Sequence, residues 1–248
     1  MVVAAFIVFA NALFVEDDAM PADEALRLHK AYASRRSLDE RLTNRGFRRL
    51  WQERNDALAE LISHRLERPL SDYRILDFGC GTGSVTSWLE FHGASPDRLT
   101  GVEIQRDKIA TARETYPELT FVEANGEHLP FAVGQFDIAL AFTVFSSILD
   151  PSVAKRVAAE MTRVLAADGG MIIWYDMRYP NPSNPDLRAM TRSRVRDLFP
   201  TMDAELKPMT LLPPVAERLG SLTEALYSPL ASIPALRSHY FGLLRTRQ

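Results

Sequence analysis

The stretch Arg74-Ile-Leu-Asp-Phe-Gly-Cys-Gly-Thr-Gly83 limits this chain more than any other part of it. Apolar Ile75, Leu76 and Phe78 run into Gly79, Gly81 and Gly83, and an amphipathic segment follows from Ser84 to Phe91. The pattern reads as a buried strand, a tight turn and a helix start. Glycine lets a ligand come against bare backbone. The first turn of a helix adds N–H groups with no partner inside the helix. A cofactor site near residue 80 is the expectation.

Strand and helix patterns then alternate. Strands are expected over Arg74–Phe78, Arg98–Ile104, Leu119–Ala124, Phe136–Phe142 and Gly169–Tyr175. Helices are expected over Ser84–His92, Asp107–Tyr116 and Pro151–Leu165, the last with proline in its first turn. Apolar strands separated by helices of this length predict an α/β fold with a doubly wound, mostly parallel sheet. Further on, a short helix Arg192–Phe199, a strand Met202–Leu212, a mainly helical Pro214–Ser232 and a strand His239–Thr246 are expected. They bring the sheet to seven strands, with one of the last two antiparallel. Upstream, helices are read over Ala22–Arg36 and Gly46–Arg68, the second ended by Pro69. On that second helix Arg48, Arg49, Glu53, Arg54 and Glu60 read as a solvated face with i,i+4 pairs. The expected organisation is an N-terminal helical extension and lid over residues 1–70 and the main domain over 71–248.

The balance of 29 basic and 32 acidic residues gives a net charge of −3 and no reason to expect nucleic acid as a partner. The one cysteine, Cys80, excludes an internal disulfide and a multi-cysteine zinc site, and a reducing, cytoplasmic setting follows. No acidic or histidine cluster has metal-ligand spacing, so no metal is expected. Met1–Val15 is apolar, lacks a basic start and is short for a membrane span. It reads as a start assigned upstream of Met20, as a segment packed on the fold or on a dimer partner, or as a targeting signal.

The spacing Gly79-x-Gly81-x-Gly83 is neither the dinucleotide fingerprint nor a phosphate loop. Leu76-Asp77-Phe78-Gly79-Cys80-Gly81-Thr82-Gly83 resembles motif I of the class I S-adenosylmethionine-dependent methyltransferases. The likeness runs from about residue 73 to 178 and more loosely beyond. It implies S-adenosyl-L-methionine as cofactor, with Gly79, Gly81 and Gly83 passing its methionine part and Asp77 near its amino group. It implies that Glu103 accepts the two ribose hydroxyls, which a carboxylate can do at once. Ile104 would lie against the adenine, and Phe142 beside the cofactor. The stretch Ala124-Asn-Gly-Glu-His-Leu-Pro-Phe131 resembles the loop after the third strand. Asn125, followed by Gly126, stands where the family usually has an aspartate, and its side-chain oxygen can still accept from the adenine amine.

Methyl transfer needs an aligned acceptor, and a hydroxyl acceptor gains from a base. The acceptor site is expected at the carboxyl ends of the central strands. Asp176 and Arg178, leading into the Asn181/Asn184 proline loop, and His128 are the candidate acceptor-side residues; Thr143, Ser146, Ser147 and His29 are further ones. The string from Trp174 to Arg188 resembles bacterial sugar and polysaccharide O-methyltransferases, including the mycobacterial methylmannose type. That implies O-methylation of a small polar acceptor such as a sugar. Two other readings stay open. A quinone-like, aromatic or lipid acceptor would be lined by Phe145, Ile148, Leu211 and Leu212. A non-catalytic scaffold would act as a homodimer through Met1–Val15.

Overall fold

The computed structural model describes Arg27, Lys30, Ala31 and residues 38–180 and 184–247. The expectations placed on Met1–Val15, His29 and Asn181, and most of the helix expected over Ala22–Arg36, lie outside these residues.

Seven strands form one sheet: β1 Ile75–Phe78, β2 Leu99–Glu103, β3 Thr120–Glu123, β4 Ile138–Phe142, β5 Met171–Met177, β6 Met202–Leu211 and β7 Arg237–Thr246. Their order is β3-β2-β1-β4-β5-β7-β6. The first five run parallel, and β7 lies antiparallel between β5 and β6. The chain leaves β1 toward β2 and β3, then returns to β1's other side as β4. The carboxyl ends of β1 and β4 therefore flank the switch point where such sheets bind ligands.

Eight helices cover the described sheet: α1 Leu38–Leu42, α2 Arg45–Arg65, α3 Ser84–Phe91, α4 Arg106–Thr115, α5 Pro151–Val164, α6 Arg192–Leu198, α7 Pro213–Arg218 and α8 Thr223–Ala231. α5 presents Val153, Val157, Met161 and Val164 to Leu76, Ala139, Ile172 and Trp174 on one sheet face. α2, α3 and α4 present Leu58, Leu61, Leu89 and Ile109 to Ile75, Leu140, Ile173 and Tyr175 on the other. A third cluster ties Phe47 and Leu50 of α2 to Leu211, Ala216 and Tyr227. The α2 helix thus shares its core with the sheet.

Several boundaries differ from the sequence reading. α2 ends at Arg65, before Pro69, and the N–H groups of Glu67 and Arg68 donate to Tyr73 Oη at 3.2 and 3.3 Å. The segment 214–232 breaks into α7 and α8, because Gly220 adopts a left-handed conformation at φ 53°. Glu53 and Arg54 leave the face read as solvated. Glu53 accepts from Tyr227 Oη, and Arg54 turns toward the sheet. Among the described residues, no helix is long and apolar enough to cross a membrane.

Candidate functional site

β1 delivers its chain into a turn that only glycine fits. A Cβ on Gly79 would lie 2.6 Å from Val144 Cγ2, and one on Gly83 would lie 2.7 Å from the Phe121 ring. Gly81 is different: at φ 57° it has nothing within 4 Å of where a Cβ would stand. The outer glycines are demanded by packing, and the middle one faces open space. The turn is pinned because Gly79 and Cys80 N–H both donate to Val102 O, at 2.8 and 3.0 Å.

Glu103 ends β2 beside this opening and is 9% exposed. Its carboxylate accepts three backbone N–H groups: Ile104 at 2.9 Å, Gln105 at 3.1 Å and Gly81 at 3.2 Å. The first two share Oε1, so Oε2 keeps lone-pair capacity toward the opening. Asp77 lies buried in β1, its Oδ2 accepting from Thr86 Oγ1 at 2.7 Å. Burial pushes its pKa up to about 6, against the Thr86 hydrogen bond and the charge of Arg54, which lower it.

Arg54 reaches this edge from α2. Its guanidinium lies 5.4 Å from the Phe142 ring centroid, 6.0 Å from Tyr175 and 5.1 Å from Trp51. Nε and Nη2 donate to Asn55 Oδ1 at 3.1 and 2.8 Å. Burial lowers its pKa, while the nearby Tyr175 and Asp77 raise it. Among the described residues it makes no ion pair, which leaves donors for an anionic group.

The loop after β3 closes the other side. Asn125 Oδ1 accepts from Glu127 N–H at 3.0 Å and keeps one lone pair free for a further donor. A Cβ on Gly126 would lie 2.6 Å from the Phe78 ring, so this glycine lets the loop pack down on β1. Ile104 is half-buried against the core, and Phe142 is buried at the end of β4.

The three acceptor-side candidates are held apart. His128 is exposed, and its charge acts on Glu160 of α5. Asp176 is fully buried; its carboxylate accepts Ser146 N–H at 3.0 Å and Met177 N–H at 2.8 Å. It fastens the turn Phe145–Ser147 to β5, and burial raises its pKa to about 6. Arg178 lies past the end of β5 and turns away from Asp176. Its guanidinium donates to Tyr179 Oη at 2.8 Å and lies over the Tyr179 and Tyr240 rings. No ion pair joins Asp176 to Arg178 among the described residues. Arg27 also clamps this region, donating to Ser147 O and to Asp186 Oδ1. Asn184 Oδ1 accepts from Asp186 N–H at 3.1 Å and shapes the same loop.

Sequence reasoning passed over a second polar group on this edge. Tyr175, at the end of β5, stacks on His239 of β7 with ring centroids 4.4 Å apart. Thr210 Oγ1 lies 3.2 Å from Tyr175 Oη and 2.9 Å from His239 Nδ1, and Ser238 Oγ lies 2.7 Å from the same nitrogen. The one available signal was a lone histidine in the apolar run His239–Leu244. No group of three or more His, Cys, Asp or Glu among the described residues could hold a metal ion.

Residues 75–169 match a family described as a methyltransferase domain. The phthiotriol/phenolphthiotriol dimycocerosates methyltransferase 1 of Mycobacterium ulcerans is 36% identical over 117 residues, 46% of this chain and 40% of that protein. The ubiquinone/menaquinone biosynthesis C-methyltransferase UbiE of Rhizobium johnstonii is 30% identical over 154 residues, 58% of this chain and 55% of that protein. The chain spans about half the length of the curated relatives it matches. Among solved structures, the Burkholderia thailandensis 1,6-didemethyltoxoflavin-N1-methyltransferase, holding S-adenosylhomocysteine, superposes with a TM-score of 0.60. It shares 16% identity and covers 93% of this chain and 92% of its own, which is a likeness of fold.

Proposed function

We propose that this chain, whose residues 75–169 match a methyltransferase-domain family, is a class I S-adenosylmethionine-dependent methyltransferase that moves a methyl group from that cofactor to an oxygen of a small polar acceptor, such as a sugar or glycan end. The cofactor supplies an electrophilic methyl group on a sulfonium. The observation that carries the reading is the pair of opposite charges, Asp77 and Arg54, beside the open backbone at Gly81. A methionine group bears an ammonium and a carboxylate, and this pair offers a partner for each. Glu103 then takes the ribose hydroxyls, with Ile104 and Asn125 toward the adenine.

A polar acceptor is supported by the buried, hydrogen-bonded group of Tyr175, Thr210, Ser238 and His239 on the neighbouring edge. Of the residues that would line an apolar pocket, Leu212 is half-buried and the other three lie in the core. Phe145 and Leu211 are 0% exposed and Ile148 is 5% exposed, all inside core clusters. The single buried cysteine, Cys80, suits a cytoplasmic setting.

The test is transfer of labelled methyl from S-adenosylmethionine to a panel of sugars, catechols and quinols. Label in a sugar methyl ether supports the reading; label found only on carbon or nitrogen overturns it. Arg54→Ala is expected to weaken S-adenosylhomocysteine binding by about 2 kcal/mol, roughly thirtyfold, in isothermal titration. Unchanged affinity would remove Arg54 from the site. Asp77, with its pKa at about 6, is charged above that pH and neutral below it. Cofactor affinity should therefore fall as pH drops from 7 to 5, and Asp77→Asn should flatten that profile. A wild-type profile already flat would count against the ammonium contact.

A further inference from the structure

We propose that His239 is the catalytic base of the acceptor half-site, its Nε2 accepting the acceptor hydroxyl's hydrogen bond and then its proton. This rests on the oxygen-transfer reading above. The acceptor oxygen's lone pair forms the bond to the methyl carbon. The carbon–sulfur bond breaks with its electron pair left on sulfur, and the O–H proton passes to Nε2.

One assignment of the hydroxyl hydrogens leaves Nε2 free. The single hydroxyl hydrogen of Thr210 is given to Met209 O at 2.8 Å. With that hydrogen so placed, Thr210 Oγ1 accepts from His239 Nδ1, 2.9 Å away, and the ring hydrogen is assigned to Nδ1. Ser238 Oγ has carbonyl acceptors of its own, Thr210 O and Leu211 O, each at 3.3 Å. Nε2 is left with its lone pair and makes no hydrogen bond to a described residue. The ring cannot swing, because it lies parallel to Tyr175 with an interplanar angle of 7°.

The backbone around the ring is unusual in a way that serves this arrangement. Thr210 adopts φ 56°, a left-handed conformation that a β-branched residue rarely takes. Pairing of β6 with β7 links Met209 to His239 and Leu211 to Arg237, and lapses at Thr210 between them. The lapse aims Oγ1 at both Tyr175 and His239. The same edge leads back to the donor half, since Tyr175 packs on Phe142 at 5.7 Å and Arg54 lies over both rings.

The charged groups acting on His239 are Arg54 from α2 and Arg41 from α1, and Tyr175 faces it from β5. Burial first, then these two cations, push its pKa down to about 3, so the resting imidazole is neutral. A cofactor carboxylate on Arg54 would cancel part of the opposing charge and make the ring a better base once the donor is bound.

Two measurements test the assignment. In long-range ¹H–¹⁵N spectra of the full chain with S-adenosylhomocysteine, His239 should show protonated Nδ1 and bare Nε2 from pH 8 to pH 5. Protonated Nε2, or an imidazolium in that range, overturns it. Using whichever hydroxyl probe the wild type methylates, His239→Asn should lower kcat by about 10²–10⁴-fold with KM for S-adenosylmethionine within about twofold. Unchanged kcat, or a loss confined to KM, overturns it. Should His239→Asn fail to fold, Thr210→Gly removes the anchoring hydroxyl at a backbone position glycine favours, and should lower kcat at least about tenfold. No transfer by the wild type to any hydroxyl sinks the proposed function, whereas normal turnover in these variants sinks only the role of His239.

Discussion

Glu103→Ala should abolish useful cofactor binding and lower thermal stability together. The carboxylate serves two masters. It closes the glycine turn by accepting the N–H groups of Gly81, Ile104 and Gln105. In the proposed function its remaining capacity meets the ribose hydroxyls. Removing it leaves those N–H groups without an acceptor at a site only 9% exposed, at about 1–3 kcal/mol for each one that water cannot reach. The expected outcome is a Kd for S-adenosylhomocysteine raised at least about a hundredfold, near 3 kcal/mol, and a melting temperature several degrees lower. Glu103→Gln keeps one acceptor oxygen and should fall between. An alanine variant that binds within threefold of the wild type would remove Glu103 from the ribose role.

Gly46→Ala should be the most damaging small substitution outside the site. Gly46 lies in the first turn of α2, where the helix meets α7 backbone to backbone. An added Cβ would stand 1.8 Å from Ala216 O and 2.3 Å from Ala216 C. No rotamer relieves a clash with a carbonyl, so α7 must move away and open the cluster of Phe47, Leu50, Leu211 and Tyr227. Overpacking of this kind costs about 3 kcal/mol, or roughly 10 °C in a chain of this size. Gly81→Ala is the matched control: it meets nothing within 4 Å, so its cost to folding is limited to backbone strain of roughly 1 kcal/mol. Equal melting temperatures for Gly46→Ala and the wild type would refute the packing argument.

The strand, glycine turn and helix around Gly81 were legible because they are written locally. Strand, glycine turn and helix lie within Ile75–Phe91, and the role of the turn needs no distant residue to be seen. Helix period places Arg54 among polar neighbours such as Glu53 and Arg48, and only docking of α2 on the sheet turns it onto Phe142 and Tyr175. His239 was invisible as a site residue for a related reason. The β5–β7 register, Tyr175 opposite Phe241 and Met177 opposite His239, sets the histidine beside a strand more than sixty residues earlier. Asp176 misled in the opposite direction. A carboxylate just before a polar loop looks available, and its full burial against Ser146 and Met177 is a fact of three dimensions.

The place of β7 between β5 and β6 also sets an order of assembly. β6 leaves the ribosome first, yet in the finished sheet it pairs only with β7. Until β7 has been synthesised and inserted, β6 has no strand to join and β5 keeps an open edge. The glycine turn needs only β1, β2, β4 and the helices among them, all earlier in the chain. A nascent chain can thus form its glycine turn before the edge bearing Thr210 and His239 exists, whereas α2, which carries Arg54, completes its packing only with Leu211 and Tyr227, and the slow, long-range pairing of β7 is the step that closes the molecule.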